Sequence, residues 1–219
     1  MLSDDILYLL RKELGDVGLN EICVASIEGV WFGVACEGQR VYATSFAVNY
    51  EKALRNLLDS IPFRMPFRVS TGSVFADKVL RLLKSIYDGE DANLNVSLTT
   101  DYLPEYTQKV LQAVSQIPAG YVASYGAVAE AVGGGARAVG NVMAANPFPL
   151  LVPCHRVVSS GMGLGGYGGG LDVKYNLLEH EKHGYTKTRE IPINSGRLRV
   201  FPVEAVLEKL EIKPPTRYP

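Results

Sequence analysis

At 219 residues, with 22 basic and 23 acidic side chains and a net charge of −1, the chain can bury one large core or two small ones and lacks the strongly basic balance of a dedicated nucleic-acid domain. Residues 1–100 carry 10 basic against 13 acidic groups and residues 101–219 carry 12 against 10, a slight positive bias that permits DNA without arguing for it. The acidic start Met1 Leu2 Ser3 Asp4 Asp5 is no signal peptide, no apolar run is long enough for a bilayer, and three cysteines suit a reducing compartment, so a soluble intracellular protein without a disulfide framework is expected.

Residues 3–14 place Ile6, Leu7, Leu9, Leu10 and Leu14 at helical spacing after Ser3, a good N-cap. Ile22 to Ile27, Val30 to Ala35 and Arg40 to Phe46 are β-branched and aromatic, and the Glu28 Gly29 and Glu37 Gly38 pairs separate them. They predict a three-stranded antiparallel meander. A two-residue turn at Glu28 and Gly29 sets Cys23 opposite Val34 and Cys36 opposite Glu21, so the two cysteines are diagonal and a disulfide between them is not favoured. Helical spacing returns over Asn49–Ile61 and Ser73–Tyr87, and Leu94–Leu98 alternates like a further strand. With a boundary near 98–102, residues 1–98 are expected to form a small α/β domain, an antiparallel sheet with helices. The three histidines, His155, His180 and His183, and the absence of finger-spaced cysteines predict no metal site.

Residues 102–183 are expected to form a second, mainly α domain. A helix from Leu103 to Ile117 ends at Pro118. Ser124 caps a short helix over Tyr125–Val132, Gly133 Gly134 Gly135 turn the chain, and a second helix runs from Ala136 to Ala145, stopping before Asn146 Pro147. This is a helix-turn-helix pattern. The exposed side of its second helix is small except for Arg137, which suits close approach to a narrow groove, or equally the packing of a neighbouring helix. Ser159–Gly170 holds seven of the 22 glycines but lacks the Lys and Ser or Thr of a phosphate loop, leaving a turning wall of backbone amides with Tyr167 as its bulky member. In the helix expected over Leu171–Lys182, Glu181 falls inside the apolar stripe and needs a partner, Lys174 or His155, unless it frays into solvent.

Cys154 beside His155 has the makings of an activated nucleophile, since only a thiolate attacks well and a nearby imidazole raises its population. An isolated cysteine is more often a small buried hydrophobe, and on this pair alone that reading wins. The ordered set Gly120 Tyr121 Val122 Ala123 Ser124 Tyr125, Ala136 Arg137 Ala138 Val139 Gly140, Asn146 Pro147, Pro153 Cys154 His155 Arg156 Val157 Val158, Gly166 Tyr167 Gly168 Gly169 Gly170 Leu171 and Lys174 through Glu181 resembles the O6-alkylguanine-DNA alkyltransferases, also called methylated-DNA–protein-cysteine methyltransferases.

That resemblance implies a suicide repair reaction. An O6-alkylated guanine, with O4-alkylthymine as a further substrate, would be flipped out of double-stranded DNA and its alkyl group moved irreversibly to Cys154. Glu181, His155 and a water would draw off the thiol proton, Tyr125 would donate to the base at N3, and Asn146 would hold the turn before the nucleophile. Arg137 would fill the vacated stack, with Ala138 and Gly140 on the same helix against the DNA. The carbonyls of Cys154 and Val157 would accept from the exocyclic amine, and Tyr167 with the Gly168 amide would close the pocket at O6. Gly168 stands where several relatives carry serine, and the ligands of the family's zinc-binding version are missing. The resemblance implies no cofactor, no membrane, a monomer, and a cytoplasmic location, or nuclear in a eukaryote. A Cys–His hydrolase and a regulator that only binds DNA are the competing readings. Residues 184–219 match nothing; an apolar segment, Val200–Leu210, is expected to be a final helix.

Overall fold

Two positive-φ residues, Glu28 (φ 51°) and Gly29 (φ 83°), make the tight hairpin turn that suits the right-handed twist of the strands beside it. It joins β1 (Asn20–Ile27) to β2 (Val30–Glu37), and β3 (Arg40–Ala47) follows in the same meander. The computed structural model describes residues 20–61, 66–70, 72–92 and 96–212, so the helix expected over 3–14 lies outside the described residues. Cys23 pairs with Val34 and Glu21 with Cys36, the diagonal arrangement expected of the two cysteines, and all three cysteines are free thiols.

The sheet is mixed rather than antiparallel throughout. Helix α1 (Tyr50–Ser60) returns the chain to begin β4 (Phe67–Val69) parallel to β1, and α2 (Val74–Tyr87) returns it to begin β5 (Ser97–Leu98) parallel to β3. A helical crossover brings the chain back to the end of the sheet where it started, which makes the next strand parallel. The order is β4-β1-β2-β3-β5. Both helices are capped as their sequences require: the Asn49 side chain accepts from the Lys52 amide and the Ser73 hydroxyl from the Ala76 amide.

The second half opens with α3 (Glu105–Ser115), then β6 (Tyr121–Ser124), α4 (Tyr125–Val132) and α5 (Ala136–Ala144). Ser124 caps α4 through the Ala127 amide at 3.0 Å, and the three glycines form the turn between α4 and α5. After the single 3₁₀ turn Cys154–Arg156 come β7 (Val157–Val158) and α6 (Leu171–His180).

Val200–Leu210 is not the single helix expected of it. Residues 189–202 form a hairpin, β8 (Arg189–Ile193) and β9 (Gly196–Pro202), and the helix α7 (Glu204–Ile212) begins only afterwards. Leu198 and Val200 are buried while Arg197 and Arg199 are exposed, the period of two that a strand imposes, and Pro202 closes the strand. β9 runs antiparallel to β6, so this half contains a second sheet, β7-β6-β9-β8. Val203, Val206 and Leu207 then pack with Val122, Val158 and Leu178 on one face of it.

One apolar core runs through both halves, from Phe32 and Val34 to Val114, Phe148, Leu150 and Leu177. Each fully buried large apolar side chain in it stabilises the fold by about 1.5–3 kcal/mol. Polar ties cross the junction, those of Thr44 and His180 among them. Thr44 of β3 donates from its amide to the Pro147 carbonyl (2.9 Å) and from its hydroxyl to the Pro149 carbonyl (2.8 Å). At the other end, His180 Nδ1 lies 2.7 Å from the Tyr87 carbonyl, where the end of α6 meets the end of α2. Among the described residues, no helix is long and apolar enough to cross a membrane.

Candidate active site

The loop before the cysteine is apolar and buried, so its backbone groups need partners inside the protein. Asn146 provides them. Its Nδ2 donates to the Val152 carbonyl at 2.9 Å and its Oδ1 accepts from the Phe148 amide at 3.0 Å, bracing the segment between α5 and Cys154. Leu150 in that segment holds φ at 73°, a left-handed conformation that costs a non-glycine residue on the order of 1 kcal/mol or more.

Cys154, 7 % exposed, lies on the wall of a cavity of about 740 Å³. Tyr125, Gly140, Asn146, Tyr167 and Gly168 line the same cavity, and Phe46, Lys52 and Tyr87 of the first half complete it. That volume is in the range of pockets that enclose drug-sized molecules. Burial pushes the Cys154 thiol above its ordinary value, and the Asn146 side chain and the Lys174 charge pull it part of the way back. At rest the sulfur is therefore a thiol, and reaction requires a base.

A candidate base, the His155 imidazole, stands next in sequence. His155 and Glu181 are fully buried, with Nε2 at 2.8 Å from Oε1. A carboxylate at Nε2 fixes the proton there in the neutral ring and leaves the Nδ1 lone pair free. Nδ1 is buried and has no partner among the described residues. Burial lowers the His155 pKa, only partly offset by Glu181, so the ring is neutral near pH 7 and able to accept a proton. Burial alone would raise Glu181, but His155 and Arg156 beside it hold its carboxyl at about 2.

Arg156 is the partner that the sequence did not reveal. Its Nε donates to both Glu181 oxygens, at 2.9 and 3.0 Å, and its Nη1 to the Ile117 carbonyl at 2.6 Å. The Gly120 amide adds a donor to Glu181 Oε2 at 3.3 Å. Lys174, the other expected partner of Glu181, points elsewhere. Its Nζ donates to the Val157 carbonyl at 2.6 Å and lies about 6 Å from the rings of Tyr125 (6.0 Å) and Tyr167 (5.9 Å). Burial brings its pKa down to about 8, a fall that the nearby sulfur limits. One signal in the sequence pointed inward: Lys174 shares the apolar stripe of α6 with Leu177 and Leu178.

Tyr125 begins α4 and its hydroxyl donates to the Gly166 carbonyl at 3.4 Å. Burial and the neighbouring sulfur raise the pKa of Tyr125 and, further, that of Tyr167, so both hydroxyls keep their protons. Gly165, at φ 71°, passes so close to Tyr125 that a Cβ would lie 2.9 Å from the ring. On α5, Arg137 is exposed, Ala138 half-buried, and Gly140 reaches the cavity wall. The structure thus gathers Cys154, Tyr125, Asn146, Tyr167, Gly168 and Gly140 around one cavity with His155 and Glu181 buried beside the cysteine, while Arg137 and Ala138 stand outside its lining and the Val157 carbonyl is already engaged by Lys174.

A buried thiol, a neutral imidazole and a carboxylate, set beside a cavity that two short helices help to wall, define a cysteine-centred site. Residues 105–183 match the family model described as 6-O-methylguanine DNA methyltransferase, DNA binding domain. The methylated-DNA–protein-cysteine methyltransferase of Mycobacterium leprae is 53 % identical over 81 residues, 36 % of this chain and 49 % of that protein, so this alignment spans about half the relative's length. The enzyme of the same name from Methanocaldococcus vulcanius is 32 % identical over 166 residues, 73 % of this chain and 96 % of its own. The crystal structure of Mycobacterium tuberculosis OGT in complex with DNA superimposes with a TM-score of 0.59 at 28 % identity, covering 74 % of this chain and 92 % of that one. The chain belongs to the methylated-DNA–protein-cysteine methyltransferase family.

Proposed function

We propose that the protein repairs O6-alkylguanine, with O4-alkylthymine as a further substrate, by moving the alkyl group from double-stranded DNA to Cys154 in a single turnover. The observation that carries this proposal is the free Nδ1 of His155, buried beside Cys154 with Nε2 fixed by Glu181. It supplies a base for a thiol that burial keeps protonated.

Cys154 Sγ attacks the alkyl carbon as the C–O6 bond breaks. The thiol proton passes through a water to His155 Nδ1, and the imidazolium so formed is balanced by Glu181. Tyr125 donates at N3 of the departing guanine, and over the whole reaction the thiol's proton ends on the released base. Tyr167 and the Gly168 amide bound O6, and the carbonyls of Cys154 and Val157 accept from the exocyclic amine, the latter beside its bond to Lys174. Asn146 holds the loop that carries the sulfur.

Helices α4 and α5 act as a helix-turn-helix whose small face, Ala138 and Gly140, lets the backbone approach the minor groove, while Arg137 enters the stack left by the flipped base. Residues 102–183 hold this chemistry and residues 1–98 support it as an α/β domain whose core is continuous with theirs. The protein acts as a monomer in the compartment of its DNA, the cytoplasm or, in a eukaryote, the nucleus. Titrating the protein with a methylated duplex tests the proposal: methyl loss should stop at one equivalent per protein. Continued turnover favours a hydrolase, and binding without methyl loss favours a DNA-binding regulator.

A further inference from the structure

The second sheet fixes where the hairpin β8–β9 points. On one side of β6, Ala123 pairs with Val157 and Ser124 with Val158; on the other, Tyr121 pairs with Pro202 and Val122 with Phe201. Carried forward, that register sets Arg199 level with Ser124 and Arg197 two residues beyond it, roughly 7 Å past the end of β6 at about 3.3 Å per residue. Tyr125 leaves β6 for the cavity at this end of the sheet, and the chain leaves β7 here for the glycine-rich loop that also lines it. Leu198 and Val200 face the core, so Arg197 and Arg199 share the opposite, exposed face.

Charge points the same way. Residues 105–183 carry five cationic side chains against five carboxylates, and two of the cations, Arg156 and Lys174, are buried. The segment 184–202, outside the family match, adds Lys187, Arg189, Arg197 and Arg199 against the single carboxylate of Glu190. Arg189 lies over the rings of Tyr121 and Tyr185. Arg199 lies 5.2 Å from the Phe201 ring, which holds its guanidinium in place, and has no carboxylate partner among the described residues. Arg197 meets Glu190 at 3.5 Å with both side chains more than half exposed (79 and 59 %), a pairing that contributes little and yields to a phosphate.

We infer that the β8–β9 hairpin is a second contact surface for the phosphate backbone of duplex DNA, with Arg197 and Arg199 as its phosphate-binding side chains; this rests on the repair function proposed above. The hairpin adds the exposed charge that the neutral 105–183 segment lacks. It strengthens binding to any duplex sequence and leaves the chemistry at Cys154 untouched.

The test compares the full chain with Arg197→Gln/Arg199→Gln, with Glu190→Gln, and with a Lys78→Gln/Arg81→Gln control on α2. Each is measured for affinity to an undamaged duplex over a salt series and for methyl uptake from free O6-methylguanine. The double-arginine variant should lose about one to two units of the slope of log affinity against log salt, close to one for each phosphate contact. Glu190→Gln should bind a few-fold more tightly, since it removes a carboxylate facing phosphate. The control slope and all free-base uptake should match the parent. A parental slope in the double variant with normal free-base uptake overturns the hairpin surface and leaves the repair function standing, as does an equal loss in the α2 control. A parent chain that neither binds the duplex nor takes up methyl overturns both.

Discussion

His155 Nε2 lies 2.8 Å from Glu181 Oε1, and neither side chain has exposed surface. The two residues are 26 positions apart, and their meeting sets both the tautomer of the ring and the charge of the site. Glu181→Gln keeps the shape but removes the charge that would balance an imidazolium. Transfer from a methylated duplex should slow by roughly 10²–10⁴-fold, the usual worth of a positioned acid–base group. Stopped-flow or quench measurement on the folded variant checks this, and a rate within a few-fold of the parent contradicts the relay.

Acid should destabilise the protein in two stages. The Glu181 carboxyl is held at about 2, below its ordinary 4.5, so its stabilising effect is complete above pH 4.5 and is lost as pH falls toward 2. His155 is held below 6.5, so below that pH the unfolded chain takes up a proton that the folded one refuses. The thermal midpoint should fall from about pH 6.5 downward and more steeply below 4.5. Glu181→Gln should start from a lower midpoint and lose the steeper part. Because His155 stays neutral in the fold, the transfer rate should not fall between pH 7.5 and 6.5.

The junction between the halves depends on Gly89. It holds φ at 87°, and a Cβ there would lie 2.1 Å from the His180 carbonyl oxygen, one residue from Glu181. Gly89→Ala should cost on the order of 2–3 kcal/mol in a denaturant titration, as strain and clash combine. Gly38→Ala, at φ 58° with open space around it, should cost only about 1 kcal/mol. Equal costs would show that the contact with α6 does not matter.

Much of this was readable from the sequence where the signal is local. The Glu28–Gly29 turn, the Ser124 cap and the glycine turn between α4 and α5 depend on a few adjacent residues, and the structure has them. Local pattern assigns Arg156 no role, because a helical wheel shows that Glu181 points inward but not what waits for it there. The second sheet was hidden for a different reason. β6 and β7 have only four and two residues, and the apolar run from Val200 fits strand and helix equally until Pro202 is weighed. The wall that Phe46, Lys52 and Tyr87 give the cavity is tertiary and leaves no mark on local pattern.

Arg137 is the exposed cation on α5 and stands outside the cavity lining. If it fills the gap left by a flipped base, Arg137→Ala should slow transfer from duplex DNA about tenfold or more, since extrusion costs a few kcal/mol. Transfer from the free base should be unchanged. Equal slowing for both substrates would place Arg137 in the chemistry or the fold instead.

The proposed alkyl acceptor is one buried sulfur, that of Cys154. The most direct measurement is the mass of the peptide containing Cys154 after incubation with excess O6-methylguanine duplex. A gain of one methylene on that peptide, stoichiometric and without change at Cys23 or Cys36, is the expected result. An unmodified Cys154 peptide alongside a demethylated duplex would contradict the account.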